Sequence, residues 1–144
     1  MKSVVLFIHL CLVGVWLGCV LTEALFERAL LGQGRAQELL LARLHKKVDV
    51  VVEIPAFLGV LLTGALMAAQ VPMTAVLQWK IVFGLIAIGA NLYCVRLVWA
   101  RLALAEAGDW DGFAAVDHRQ HQWGAVVLAG LLGALGLGGY LFTA

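Results

Sequence analysis

Charge is scarce in this sequence: Asp, Glu, Lys and Arg make up 13% of its 144 residues, against about 25% in an average soluble domain. That shortage excludes a soluble enzyme domain and a disordered tail. Cysteine is scarce too. Cys11, Cys19 and Cys94 all fall inside apolar runs with no Cys-x-x-Cys spacing, so no disulfide framework is expected and small apolar packing is their use. The net charge is only +1, and no Lys/Arg cluster is interleaved with aromatics, so the footprint of a nucleic-acid partner is missing. No fixed-period repeat is present, nor the alternating pattern of a barrel strand. What is abundant is hydrophobic sequence, 63% of the chain.

The apolar residues gather into four runs, about 4–25, 48–69, 79–100 and 123–142. A bilayer core of about 30 Å takes about 20 helical residues per crossing. Lipid offers no hydrogen bonds to an unpaired backbone, so each run is expected to be a helix. The fold class that follows is an all-α integral membrane protein, a single four-transmembrane-helix bundle over residues 1–144. The links, about 26–47, 70–78 and 101–122, are too short for a second domain.

Positive charge is retained on the cytoplasmic side of a membrane. Arg28, Arg35, Arg43, Lys46 and Lys47 lie in the first link and Arg101 and Arg119 in the third, while the second link and the C-terminus have no basic residue. Both termini are therefore expected on the outer, periplasmic side of a bacterial-type inner membrane. Lys2 is the one contrary residue outside the spans. Lys2 ahead of an apolar run, with Leu17-Gly18-Cys19 further on, also resembles a processed leader, but the run from Val4 to Leu25 outlasts a secretory core of about 7–15 residues. A retained helix is expected.

An ionisable group near the bilayer centre costs at least about 2.5 kcal/mol, so each one needs a partner or a task. His9, Trp16 and Glu23 are spaced by seven, and Glu27 follows Glu23 by four, which puts all four on one stripe of the first helix. The second helix carries Glu53 with His45 and Asp49 on the same side. The third carries Lys80 and, nearly in phase, Asn91, while the fourth begins with His118 and His121. Pro55 removes a backbone donor and is expected to free the carbonyl of Val51. Gly14, Gly18, Gly133, Gly136, Gly138 and Gly139 permit close helix approach or a slot for a flat ligand.

Sorted by depth, these residues form two sites. The outer one holds His9 and Lys80, with Trp79 and Tyr140 at the matching interface. A neutral imidazole there is a good axial ligand for haem iron, and the ammonium can hold a porphyrin propionate, with Trp16 and Asn91 beside the cofactor. The inner one holds Glu23, Glu27, His45, Glu53, His118 and His121, with Arg96 placed to neutralise a carboxylate. His9, Glu23, Glu53, His118 and His121 are the candidate metal ligands. The Glu-x-x-His pairs of a di-iron bundle are missing, which points to a single metal or a proton relay.

His9 with Trp16 and Gly18, Pro55 early in the second span, Trp79-Lys80 opening the third, and Tyr93 and Arg96 later in it form a pattern that resembles the HemJ-type protoporphyrinogen IX oxidases. That resemblance implies haem b as cofactor, catalytic roles for His9 and Lys80, and removal of six electrons and six protons from protoporphyrinogen IX. The stretch Cys19-Val20-Leu21-Thr22-Glu23 departs from that family's Leu-Pro-Arg segment, and the fourth span lacks its Asn-Glu-x-Pro stretch. The chain also resembles CopD-type copper-handling membrane domains, which implies a copper or iron ion instead. A haem b-binding membrane oxidoreductase is the first expectation. Metal or proton binding and transport through the Glu/His cluster is the second, and an accessory membrane subunit the third. The lipid bilayer is the expected surrounding, a porphyrin or metal the expected ligand, and a homodimer or partner subunit the expected assembly.

Overall fold

Because lipid cannot satisfy peptide groups, the apolar runs close their hydrogen bonds internally. The computed structural model describes residues 2–143, and of Lys2 only the backbone. Among the described residues the chain is helical apart from short links: α1 spans Lys2–Leu30, α2 Arg35–Val48, α3 Ile54–Ala68, α4 Ala75–Ala107 and α5 Trp110–Thr143. A π-helical turn, Asp49–Glu53, joins α2 to α3 without a break. Four helical stretches, Ser3–Leu30, Arg35–Ala68, Ala75–Ala107 and Trp110–Thr143, are long and apolar enough to cross a membrane.

The helices run well past the apolar sequence at one end. Most of the two charged links expected from the sequence is helix, and only residues 31–34 and 108–109 turn the chain there. Glu27, Glu38, His45, Arg101 and Asp117 in these segments are buried against neighbouring helices, while most of the other charged side chains stay exposed, so each segment has an inner face that a continuing helix can pack. Gly108 ends α4 in the left-handed conformation at φ 76°, which a β-carbon would strain. One residue on, Asp109 Oδ1 accepts from the Gly112 N–H at 2.9 Å and caps α5.

Pro55 explains the π-helical turn. With no N–H to donate to Val51, the chain widens the turn before it, and the Ile54 N–H bonds back to the carbonyl of Asp49. Such turns re-aim side chains, and here Asp49 and Glu53 both point inward and are buried.

Burial is inverted relative to a water-soluble protein. Large apolar side chains such as Phe7, Leu25, Leu62 and Phe142 face outward, while His9, Glu23, Glu27, Asp49, Glu53, Asn91, Arg101 and Asp117 are buried. This is the distribution a bilayer selects, since oil outside makes polar pairing inside the distinguishing force. Trp16, Phe57, Ala87, Val127 and Leu131 form the central apolar core, and Ala42, Leu102, Ala105 and Phe113 a smaller one nearer the charged end. Helices α4 and α5 approach closely at Gly130, where a β-carbon would lie 2.9 Å from that of Ala87 and 3.0 Å from the Phe83 carbonyl oxygen. Gly14, Gly18, Gly136 and Gly139 instead face open space.

Candidate functional site

Two cavities lie along the bundle, one toward the end where α1 begins and α5 finishes (the terminal end), the other toward the links 31–34 and 108–109 (the basic end). The terminal cavity has a volume of about 630 Å³ and is lined mainly by apolar residues, with His9, Trp16 and Lys80 among them. Its size falls in the range of about 300–1,000 Å³ usual for cofactor and small-molecule sites.

His9 is held by α3. Its Nδ1 lies 2.8 Å from Thr63 Oγ1, and the Thr63 hydroxyl donates to the Gly59 carbonyl at 2.6 Å. The hydroxyl has a single proton, so it accepts from His9, and the imidazole carries its hydrogen on Nδ1. Nε2 is left with a lone pair and no hydrogen-bond partner among the described residues. Gly64 lies against the ring, where a β-carbon would meet His9 Cε1 at 3.4 Å, ordinary van der Waals contact. Lys80 lies over Gly138, where a β-carbon would come within 3.2 Å of its Cε. Among the described residues no carboxylate pairs with it. The cavity therefore combines one nitrogen lone pair, one unpaired ammonium and apolar walls.

The other two residues expected beside a cofactor behave differently from each other. Trp16, 1% exposed, offers the terminal cavity only its ring, because its Nε1 donates to Asn91 Oδ1 at 3.1 Å. Asn91 lines the other cavity and donates through Nδ2 to Glu53 Oε2 at 2.9 Å.

The basic-end cavity, about 490 Å³, is lined by Glu23, Glu27, His45, Asp49, Glu53, Asn91 and Gln120 among others. Arg101, 0% exposed, anchors one side. Its Nη1 donates to Glu27 Oε1 at 2.7 Å and to Asp117 Oδ1, and its Nη2 lies 2.8 Å from His45 Nδ1. A guanidinium can only donate, so His45 Nδ1 accepts and its hydrogen sits on Nε2, which reaches Glu23 Oε2 at 2.9 Å. Gln120 Nε2, 3.4 Å from the same Nδ1, agrees with that tautomer.

Several buried oxygens still lack a donor: Glu23 Oε1, Glu27 Oε2, Asp49 Oδ2 and Gln120 Oε1. Two groups of side chains bring ligand atoms within 4.8 Å of one another, Glu23 with His45 and Asp49, and Glu27 with Asp117 and His121. Of the metal ligands expected from sequence, Glu23 and Glu53 lie in this cluster. His121 touches it from the rim, its Nε2 3.6 Å from Glu27 Oε2. His118 does not join it, being exposed and near only Gln122 at 3.2 Å. His9 belongs to the other cavity. Arg96 is exposed, and Arg101 takes the neutralising place expected for it.

Sequence reasoning missed Thr63, Asp117 and Gln120, and treated Arg101 as a link charge. The signal for two of them was present, because Phe113, Asp117, Gln120, Val127 and Leu131, all buried, repeat at helical spacing and run the inner face of α5 straight through the supposed link. A scan against protein-family models, a search of curated proteins and a search of solved structures each found no match to this chain.

Proposed function

We propose that this multi-pass membrane protein is an oxidoreductase whose terminal cavity would hold a haem b, with His9 Nε2 as the nitrogen that would bind its iron. The observation that carries the reading is the Thr63 hydroxyl bond. It fixes the imidazole tautomer so that a lone pair remains beside a cofactor-sized apolar space, and metal-ligating histidines usually have their other ring nitrogen held by such a hydrogen bond. The residues present fit such a group: apolar walls for a macrocycle, a nitrogen for the iron and, at Lys80, an unpaired ammonium for a propionate carboxylate.

A haem held there supplies reversible one-electron chemistry inside the bilayer. The protein's own part is to orient His9 through Thr63, to place the positive charge of Lys80 at the cavity wall, and to keep water out with its leucine, valine and isoleucine lining. Protoporphyrinogen IX is the proposed substrate; its oxidation to protoporphyrin IX releases six protons and six electrons, which a haem there would pass one at a time to an electron acceptor outside the protein. Lys80 is the group placed to bind a substrate carboxylate or carry a proton. The excess of basic residues at the links 31–34 and 108–109 supports an orientation with that end in the cytoplasm and both termini outside a bacterial-type inner membrane.

The test is a reduced-minus-oxidised spectrum of the detergent-purified protein. Wild type is expected to show Soret and α bands that His9→Ala loses or shifts, and oxidation of added protoporphyrinogen IX that falls in Lys80→Met. A wild-type protein without haem bands, or bands unchanged by His9→Ala, refutes the reading.

A further inference from the structure

The basic-end cavity is independent of the haem reading, and its charges do not balance. Five buried carboxylates, those of Glu23, Glu27, Asp49, Glu53 and Asp117, surround a single buried guanidinium, Arg101. Arg101 already serves Glu27 and Asp117. That leaves Glu23, Asp49 and Glu53 without a guanidinium or ammonium: the His45 ring donates from Nε2 to Glu23, the Asn91 amide donates to Glu53, and the Asp49 and Glu53 carboxyls bond to each other. Arg28, also on the cavity wall, is exposed. Buried anions of this kind persist only when paired, protonated or bound to a cation.

Two further observations show where a cation fits. Asp49, 1% exposed, lines the cavity with Oδ2 unpartnered, and Glu23 Oε1 on the facing helix is unpartnered as well. The ligand atoms of Glu23, His45 and Asp49 already lie within 4.8 Å of one another. Bonds of about 2.0–2.2 Å at tetrahedral angles put two ligands of one ion roughly 3.5 Å apart, so side-chain rotation without a backbone shift is what closing the set requires. The second acidic group, Glu27 with Asp117 and His121, already has the Arg101 guanidinium as its cation.

We infer that Glu23, His45 and Asp49 form a binding site for one divalent first-row transition ion. Two carboxylates and one imidazole favour manganese, iron or zinc over calcium and magnesium, which prefer all-oxygen sites, and over monovalent copper, which prefers sulfur. In the metal-free protein the Nε2 proton of His45 lies between that ring and Glu23. On binding, the ion takes its place and the proton moves to Nδ1, where Glu27 Oε1 at 3.2 Å accepts it. Arg101 turns its Nη2 away while Nη1 keeps Glu27 and Asp117. Glu27 thereby becomes the outer partner that orients the metal-bound imidazole.

The test uses the full chain in detergent, freed of metal with chelator and titrated with Mn²⁺ alone. Free ion is read by electron paramagnetic resonance, and Zn²⁺ is then added as competitor. Wild type is expected to take up one saturable equivalent, displaced by Zn²⁺. Glu23→Gln and Asp49→Asn are expected to weaken it at least tenfold. Both substitutions keep the side-chain shape and remove a buried charge, so the bundle stays folded, which a thermal melt of each variant checks. His9→Ala is expected to bind as wild type does, which separates this site from the terminal cavity. No saturable uptake by wild type, uptake unchanged in both carboxamide variants, or uptake lost in His9→Ala alone overturns the inference. The first of these outcomes assigns the charge balance to protons.

Discussion

Arg101→Met is the most informative single change at the basic end. The guanidinium is fully buried and bonds two carboxylates through one nitrogen, so methionine keeps much of the stem and its packing near Phe113 while removing the one buried guanidinium among the described residues. Each charge pair, with centres roughly 4 Å apart at an effective dielectric near 20, attracts by about 4 kcal/mol. The cost of desolvating the guanidinium offsets much of that, and breaking buried pairs by removing one partner typically costs about 3–5 kcal/mol. At roughly 2–4 °C per kcal/mol for a chain of this size, the variant should melt on the order of 10 °C below wild type. Thermal unfolding in detergent, followed by the fluorescence of the five tryptophans, measures this. The triple variant Arg101→Met, Glu27→Gln, Asp117→Asn removes the orphaned charges too and should regain most of the loss. If the single variant melts with wild type, or the triple is no better than the single, the account of Arg101 as the neutralising charge is wrong.

Gly130→Val forces a β-carbon into space held by Ala87 and the Phe83 carbonyl and should cost about 1–3 kcal/mol by overpacking, whereas Gly136→Ala, which faces open space, should change the melt little. Thr63→Val removes the acceptor that fixes His9 and should weaken haem retention by about 10–100-fold with the helices intact by circular dichroism; unaltered retention would remove the tautomer argument. Trp16→Phe leaves Asn91 Oδ1 without its donor, and the melt should fall by about 1 kcal/mol, in line with hydrogen bonds between membrane helices. His118→Ala, altering an exposed side chain, should stay within about 0.5 kcal/mol of wild type and leave both spectra and metal uptake unchanged.

The four helices long and apolar enough to cross a membrane were legible because hydropathy marks them: a run such as 123–142 has no stable place except in lipid or a core. The seven-residue spacing of His9, Trp16 and Glu23 was equally legible, and all three turn inward. The links were harder to read. A charged segment such as Arg101–Gln122 looks solvated in sequence because hydropathy does not register that Arg101 and Asp117 neutralise each other across helices. The choice between His118 and its neighbour Asp117 rests on one residue of helical phase, about 100°, and only the apolar stripe from Phe113 to Leu131 sets that phase. Thr63 was invisible because a hydroxyl in a membrane helix ordinarily bonds its own backbone. Thr63 does that as well, and the same bond is what makes it accept from His9.

The two cavities are chemically opposite, and the residues between them show how one bundle keeps both. At the terminal end a single imidazole nitrogen is unused within an apolar wall, whereas at the basic end acceptors outnumber donors. Trp16 separates them. Its ring packs on Phe57, centroids 5.8 Å apart, and closes the apolar side, while its Nε1–H satisfies Asn91, whose own amide satisfies Glu53. A phenylalanine would seal equally well but leave that chain without its first donor, and a polar residue would admit water to the terminal cavity. An indole does both, because it is apolar over most of its area and donates at one edge. Water from the acidic cluster that reached His9 would solvate Nε2, so the indole at position 16 keeps the imidazole lone pair on the apolar side of the bundle.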